Sequence, residues 1–173
     1  MNIENNLYPL TLPQEAFYYD YLLNGDNHKY NMGGAFFVNG ELNIELYRQA
    51  YNYAVKYFDG MRVRFIKSGE FLYQQFDEDV NYEIKYFDFR NSNNAVENAL
   101  KFLLKEYKKP LPPVDSMLYS EIILRTGDFQ YIIGPKFHHF ANDAMGRSIF
   151  NEAVSTAYNS YLKNGVFPEL KPF

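Results

Sequence analysis

Two apolar runs on either side of a short polar turn constrain the fold of this chain more than any other feature. Residues 117–125 and 129–137 are rich in Ile, Leu, Tyr and Phe, and the turn between them reads Thr-Gly-Asp. Apolar runs joined by such a turn predict a β-hairpin. The second strand of this hairpin leads directly into His138. We therefore expect this histidine at the end of a strand.

Helical periodicity predicts four helices around this hairpin. Thr11, followed by Pro13 and Gln14, matches a capping box and predicts a helix that runs to about Leu23. Further helices are predicted over residues 43–58, 94–108 and 143–164. Strands are predicted over residues 30–38, 61–66, 71–76 and 82–87. Helices that alternate with strands and hairpins predict an α/β (α+β) sandwich, in which helices cover a mixed sheet.

Composition narrows the possible classes of protein. The 173 residues are expected to form one domain, with 47% apolar residues to fill its core. The net charge is -4 and no basic patch is visible, which argues against a nucleic-acid partner. There is no cysteine, so disulfides and thiol chemistry are excluded. The N-terminus lacks a signal peptide and no run suits a membrane span, so we expect no membrane contact and a cytoplasmic location.

Chemistry is most plausible at the end of the hairpin. His138 and His139 are adjacent, and Asp143 follows where it can cap the last predicted helix. Neighbouring residues of a strand point to opposite faces, so the two imidazoles should not share a metal ion and no metal site is expected. His139 can act as a general base or hydrogen-bond donor, with the helix N-terminus close to a developing oxyanion. A structural histidine at a strand end is the alternative interpretation.

Asp143 has two interpretations of its own. It can cap the helix, or its carboxylate can pair with a buried arginine. Arg62 and Arg64 alternate with apolar residues and should face one side of a strand. One of them is therefore a candidate partner for Asp143, although the same pattern also suits two arginines that face solvent.

Three segments carry motifs in a fixed order. Residues 8–18 read Tyr-Pro-Leu-Thr-Leu-Pro-Gln-Glu-Ala-Phe-Tyr, residues 61–65 read Met-Arg-Val-Arg-Phe, and residues 138–144 read His-His-Phe-Ala-Asn-Asp-Ala. They resemble motifs of the condensation domains of nonribosomal peptide synthetases, which share a superfamily with chloramphenicol acetyltransferase. The family pattern of the third motif is His-His-x-x-x-Asp-Gly, so an alanine replaces the glycine. Residues 57–58, Tyr-Phe, replace the usual Arg-His ahead of the second motif.

The resemblance implies roles for particular residues. His139 would be the catalytic residue, which deprotonates or positions an acceptor amine as it attacks a donor thioester. His138 would organise the loop, and Asp143 would pair with Arg62, so that these three residues support the site.

The start of the last helix would border the tunnel in which the substrates meet. Ala144, Met145 and Gly146 are therefore candidates for lining this tunnel or for binding an oxyanion.

The resemblance also implies partners. The substrates would arrive on the phosphopantetheine arms of upstream and downstream peptidyl carrier domains, with no cofactor bound directly. Residues 1–173 would be the N-terminal subdomain of a two-lobed condensation domain, without its C-terminal subdomain, and inactive alone. Its uncovered apolar face is expected to favour dimerisation.

Other functions share the same motif. Epimerisation, starter and ester-forming acyltransferase domains all carry His-His-x-x-x-Asp. A non-catalytic module that docks a carrier or a tailoring enzyme is a further alternative.

Overall fold

The computed structural model describes residues 7–25 and 28–172. The helices are α1 (Leu12–Asn24), α2 (Ile44–Val55), α3 (Ala95–Tyr107) and α4 (Ala144–Asn164). The strands are β1 (Tyr8–Pro9), β2 (Asn31–Gly33), β3 (Phe36–Asn39), β4 (Val63–Ser68), β5 (Phe71–Phe76), β6 (Lys85–Asp88), β7 (Tyr119–Gly127) and β8 (Gln130–His138). A short 3₁₀ turn spans Asp59–Met61. The four helices lie where the sequence predicts them, although α2 ends at Val55 rather than near Phe58, and β6 begins at Lys85 rather than at Tyr82.

The strands form two sheets. In the larger, mixed sheet, β7 pairs antiparallel with β8 and parallel with β6, while β2 and β3 both pair with the other side of β8. This arrangement confirms the predicted hairpin and the predicted fold class. In the smaller sheet, β5 lies between β1 and β4. The sequence predicts a single mixed sheet, whereas the β4–β5 hairpin forms a separate sheet with β1.

Helices cover both faces of the mixed sheet. Ile122 and Leu124 of β7 pack in one buried cluster with Leu103 of α3. Ile123, which lies between them, belongs to the larger core together with Phe150 of α4. Because successive strand side chains point to opposite faces, each strand of this hairpin supplies two cores. This is the sandwich that the sequence predicts.

The helix starts are those expected from capping residues. Gln14 Oε1 accepts a hydrogen bond from the Thr11 backbone N–H at 2.8 Å, which forms the predicted reciprocal contact at the start of α1. Gly165, with φ of 72°, ends α4. No side chain of α1 is fully buried.

Of the helices in residues 7–25 and 28–172, none combines the length and apolar character needed to span a membrane.

The predicted strand over residues 30–38 is interrupted between β2 and β3. A Cβ on Gly33 would lie 2.4 Å from the Pro135 carbonyl oxygen, so only glycine allows β2 to approach β8 here. At the break, the Tyr107 hydroxyl donates to the Gly34 carbonyl oxygen. This hydrogen bond at the break attaches α3 to the edge of the sheet, beside the end of β8.

Candidate active site

The loop that joins β8 to α4 is a tight turn, held to its neighbours by backbone hydrogen bonds. The Ala141 N–H donates to the His138 carbonyl oxygen at 3.0 Å, and the His139 N–H donates to the Tyr30 carbonyl oxygen at 2.9 Å. These bonds fix the backbone where the strand turns toward α4. The two adjacent imidazoles consequently lie in different surroundings.

His138 is buried and uncharged. Only 5% of this residue is exposed, and its Nδ1 accepts a hydrogen bond from the Phe140 N–H at 3.0 Å. Burial lowers the pKa of His138 to about 4, and the neighbouring His139 adds to this effect. Since Nδ1 is an acceptor, the proton of the neutral ring lies on Nε2. The ring thus closes the first turn of the loop without carrying charge.

His139 has the opposite hydrogen-bond pattern. Its Nδ1 lies 3.1 Å from the carbonyl oxygen of Asn142, and a carbonyl oxygen can only accept. The proton of the neutral ring therefore lies on Nδ1, and Nε2 retains its lone pair. Phe17 of α1 packs against the ring with its centroid 5.3 Å away. An oriented imidazole with an unprotonated Nε2 is what a general base requires.

His139 lines an open groove of about 430 Å³ between α1, the loop and the first turn of α4. Met145 and Gly146, two of the predicted tunnel residues, line the same groove. Ala144 does not, because it lines a separate cavity of about 210 Å³ between β2, β8 and α4. The three predicted tunnel residues are therefore divided between two cavities.

The predicted pairing of Arg62 with Asp143 is wrong. Asp143 caps α4, and its Oδ1 accepts from the Gly146 N–H at 2.8 Å. Arg62 binds instead to the Asp59 carboxylate, three residues earlier, and to the carbonyl oxygen of Asp77 at 3.1 Å. The reason is local geometry, since each side chain meets a nearer partner. The cap also occupies the Gly146 N–H, which is consequently not free to bind an oxyanion.

A different buried ion pair supports the site. Arg147 Nη2 lies 2.5 Å from Glu121 Oε2, and the two side chains are 5% and 1% exposed. Tyr47 donates to the other carboxylate oxygen at 2.8 Å, and Arg147 Nη1 donates to the Tyr51 hydroxyl at 3.3 Å. Burial and the Glu121 charge raise the pKa of Tyr47 well above its usual range. The pair connects the first turn of α4 to β7 and α2.

Sequence reasoning missed this pair, although a signal was present. Glu121 interrupts the apolar run of β7, and a charged side chain in a buried strand needs a partner. Arg147 lies one turn after Asp143 and three residues before the buried Phe150, on the inward side of α4. The ion pair between Glu121 and Arg147 could therefore have been predicted from the sequence.

Within residues 7–25 and 28–172, no group of three or more His, Asp or Glu side chains is arranged to hold a metal ion.

Comparison with known proteins identifies the family. Residues 4–172 match the family model described as the condensation domain. The chain belongs to the condensation-domain family. Two curated relatives from Bacillus subtilis (strain 168) are a dimodular nonribosomal peptide synthase, 24% identical over 156 residues, and surfactin synthase subunit 2, 24% identical over 155 residues. Each match covers 90% of this chain, but only 7% and 4% of those relatives.

Solved condensation domains share the fold. The starter condensation domain of rhizomide synthetase RzmA has a TM-score of 0.90 and 19% identity, over 96% of this chain. The first condensation domain of the CDA synthetase has a TM-score of 0.87 and 18% identity, over 98% of this chain. The chain spans 40% and 44% of those two structures, less than half of their length.

The buried ion pair leads to a stability prediction. Glu121→Ala leaves Arg147 buried without its counter-charge, so we expect the free energy of unfolding to fall by about 3–5 kcal/mol in urea denaturation. Glu97→Ala is the matched control, because it breaks a pair with Lys101 whose side chains are 58% and 69% exposed, and it should change stability little. Equal losses from the two substitutions would contradict a structural role for the buried pair.

His138 leads to a pH prediction. Its folded pKa of about 4 lies below the pKa of 6.5 of a histidine in the unfolded chain, so between these values the unfolded chain binds a proton that the folded chain does not. The contribution of His138 to the free energy of unfolding should therefore be fully present above this pH window. The free energy of unfolding should fall by up to ~3 kcal/mol as the pH drops through it. His138→Asn keeps an acceptor for the Phe140 N–H but does not titrate. Urea denaturation across the pH range should show a shallower fall in this variant, and identical slopes would disprove the assignment.

Proposed function

We propose that this chain is the cytoplasmic N-terminal lobe of a condensation domain, which forms an amide bond between a carrier-bound acyl or aminoacyl thioester and a carrier-bound amine. The observation that carries this proposal is the orientation of His139. Its Nδ1 is engaged by the Asn142 carbonyl oxygen, and the ring lines an open groove. Family membership supplies the reaction class, while the hydrogen bond supports the general-base role.

The proposed chemistry uses the free Nε2 of His139. The acceptor amine attacks the carbonyl carbon of the donor thioester while Nε2 takes a proton from the nitrogen, so that a C–N bond forms. The C–S bond then breaks, and the proton passes to the departing phosphopantetheine sulfur. The amide remains on the acceptor carrier, and no bound cofactor takes part. Upstream and downstream carrier domains would present the two arms.

We further propose that a C-terminal subdomain completes the tunnel and that the chain alone does not turn over. Supporting this, the chain spans only 40% and 44% of the two solved relatives described above. Met145, at the edge of the His139 groove, is 69% exposed, as expected for an apolar side chain that a second subdomain would cover.

A fatty acyl donor is the second candidate. The likeness to the RzmA starter domain favours it, and the solved forms of that domain include a variant in complex with C8-CoA. Epimerisation and ester-forming domains share the motif, but no contact among the described residues favours them.

A docking module without catalysis is a weaker alternative. The alanine at position 144 and the absent Arg62–Asp143 pair are departures that would suit it. Against it, His139 is partly exposed and oriented by a hydrogen bond rather than buried.

Amide formation from an acyl-loaded and an aminoacyl-loaded carrier, followed by mass spectrometry, tests the proposal. We expect no product from the chain alone and product when a C-terminal subdomain of a solved relative is fused to it. His139→Ala should lower the rate about 10²–10⁴-fold, because the general base is lost. Glu97→Ala, on the exposed face of α3, is the control and should retain the rate.

Each other outcome has a distinct meaning. Product from the chain alone would refute the need for a second lobe. An unchanged rate in His139→Ala would refute the catalytic role. Carrier binding that persists without product in any fusion, and that does not depend on His139, would favour the docking module.

We also propose that two copies of the chain associate through apolar surface that a second subdomain would cover. Leu12 and Leu23 of α1 are 81% and 84% exposed, which is unusual for large apolar side chains. Light scattering coupled to size-exclusion chromatography should show a mass that rises toward the dimer with concentration. A constant monomer mass over a wide concentration range would contradict this.

A further inference from the structure

The side chain of Asn142 fills a space beside the first turn of α4. A Cβ added to Gly146 would lie 2.2 Å from Asn142 Oδ1, which is far inside van der Waals contact. The same Oδ1 accepts a hydrogen bond from the Asp143 N–H at 2.9 Å. Position 146 must therefore lack a side chain as long as Asn142 keeps this conformation.

The other end of the Asn142 amide meets the 3₁₀ turn and β7. A Cβ on Gly60 would lie 4.0 Å from Asn142 Nδ2, which is ordinary contact. The Gly60 carbonyl oxygen accepts a hydrogen bond from the buried Tyr119 hydroxyl. The Asn142 side chain also lies near this phenol, where it opposes the rise in the Tyr119 pKa that burial causes. Arg62, which binds Asp59, closes the same 3₁₀ turn.

Asn142 consequently connects three elements to the active-site loop. Its amide is held between α4, the 3₁₀ turn and β7, while its own carbonyl oxygen faces His139 Nδ1. Asn142 Oδ1 accepts from the Asp143 N–H, which belongs to the same peptide group as the Asn142 carbonyl, so fixing the side-chain amide also restrains the direction of that carbonyl. The carbonyl in turn determines which ring nitrogen of His139 carries the proton.

We infer that Asn142, seated over the side-chain-free Gly146, is a positioning residue that holds His139 in the tautomer with the proton on Nδ1. Its importance for catalysis rests on the proposed function, because only a general base at His139 would need Nε2 unprotonated. The tautomer itself can be measured without any assay of activity.

The adjacent histidines provide an internal comparison. His138 carries its proton on Nε2, since its Nδ1 accepts from the Phe140 N–H, and His139 carries its proton on Nδ1. The chain has three histidines, so their ring signals are few enough to assign one by one. A disturbance of the whole fold would alter both signals, whereas the loss of positioning would alter that of His139 alone.

The experiment is long-range ¹H–¹⁵N correlation of the imidazole rings at about pH 8, where histidines are mostly neutral. In the unaltered chain we expect opposite tautomer patterns for His138 and His139. In Asn142→Ala the two ¹⁵N shifts of His139 should move toward each other, as in a tautomer mixture, while those of His138 stay. Gly146→Ala should have the same effect, because its Cβ displaces the Asn142 amide.

Gly60→Ala is the matched control for Gly146→Ala. Its Cβ would lie 3.7 Å from the nearest atom, the Ala141 carbonyl oxygen, and should leave the His139 tautomer unchanged. Alanine also has a higher helix propensity than glycine, so Gly146→Ala should not unfold α4. In the double variant with Asn142→Ala, the change at Gly146 should add nothing, because the atom that it would strike is gone.

The inference would be overturned if the unaltered chain carried the His139 proton on Nε2, or if Asn142→Ala left the His139 tautomer unchanged. It would also be overturned if Gly146→Ala shifted the His139 signals equally with and without Asn142. Shifts of the His138 and His139 signals together would likewise contradict it. The proposed function fails separately: opposite tautomers together with no amide product from any fusion would leave the positioning role intact and refute the condensation reaction.

Discussion

The ion pair between Arg147 and Glu121 is the interaction on which the geometry of the site depends. Removing two charges from water is costly, and here the cost is offset by close contact and by the hydroxyls of Tyr47 and Tyr51. The pair fixes the first turn of α4 against β7 and α2. The position of that turn determines where Asp143 caps the helix, and therefore where the loop after β8 must end.

Between the end of β8 and this anchored turn, the backbone gives two neighbouring histidines different properties. His138 points into the protein and accepts from an N–H, so it stays neutral. His139 lies beside the groove and donates to a carbonyl, which leaves Nε2 available. The difference arises from strand alternation and from which backbone group each ring meets, not from any difference in chemistry between the side chains.

Features that depend on neighbouring residues could be read from the sequence. The hairpin, the cap of α1, the cap at Asp143 and the helix boundaries follow from local patterns and agree with the structure. Contacts between residues that are distant in the sequence are harder to predict. The motif predicts that Arg62 pairs with Asp143, but its guanidinium binds the nearer carboxylate of Asp59. The separate smaller sheet and the seat of Asn142 over Gly146 depend on packing that no single segment encodes.

One wall of the groove is contributed by α1, through Phe17 against His139, while the opposite wall comes from the last helix. The two walls lie near opposite ends of the chain, so the groove exists only after a large loop has closed, at an entropic cost that local contacts do not repay. Although α1 has no fully buried side chain, Phe17 and Tyr18 pack against the larger core, so this wall of the groove is held by partly buried aromatic contacts. The loop after β8 is anchored by the buried ion pair of α4, whereas the α1 wall depends on these partial contacts, so the two sides of the groove differ in how firmly they are held.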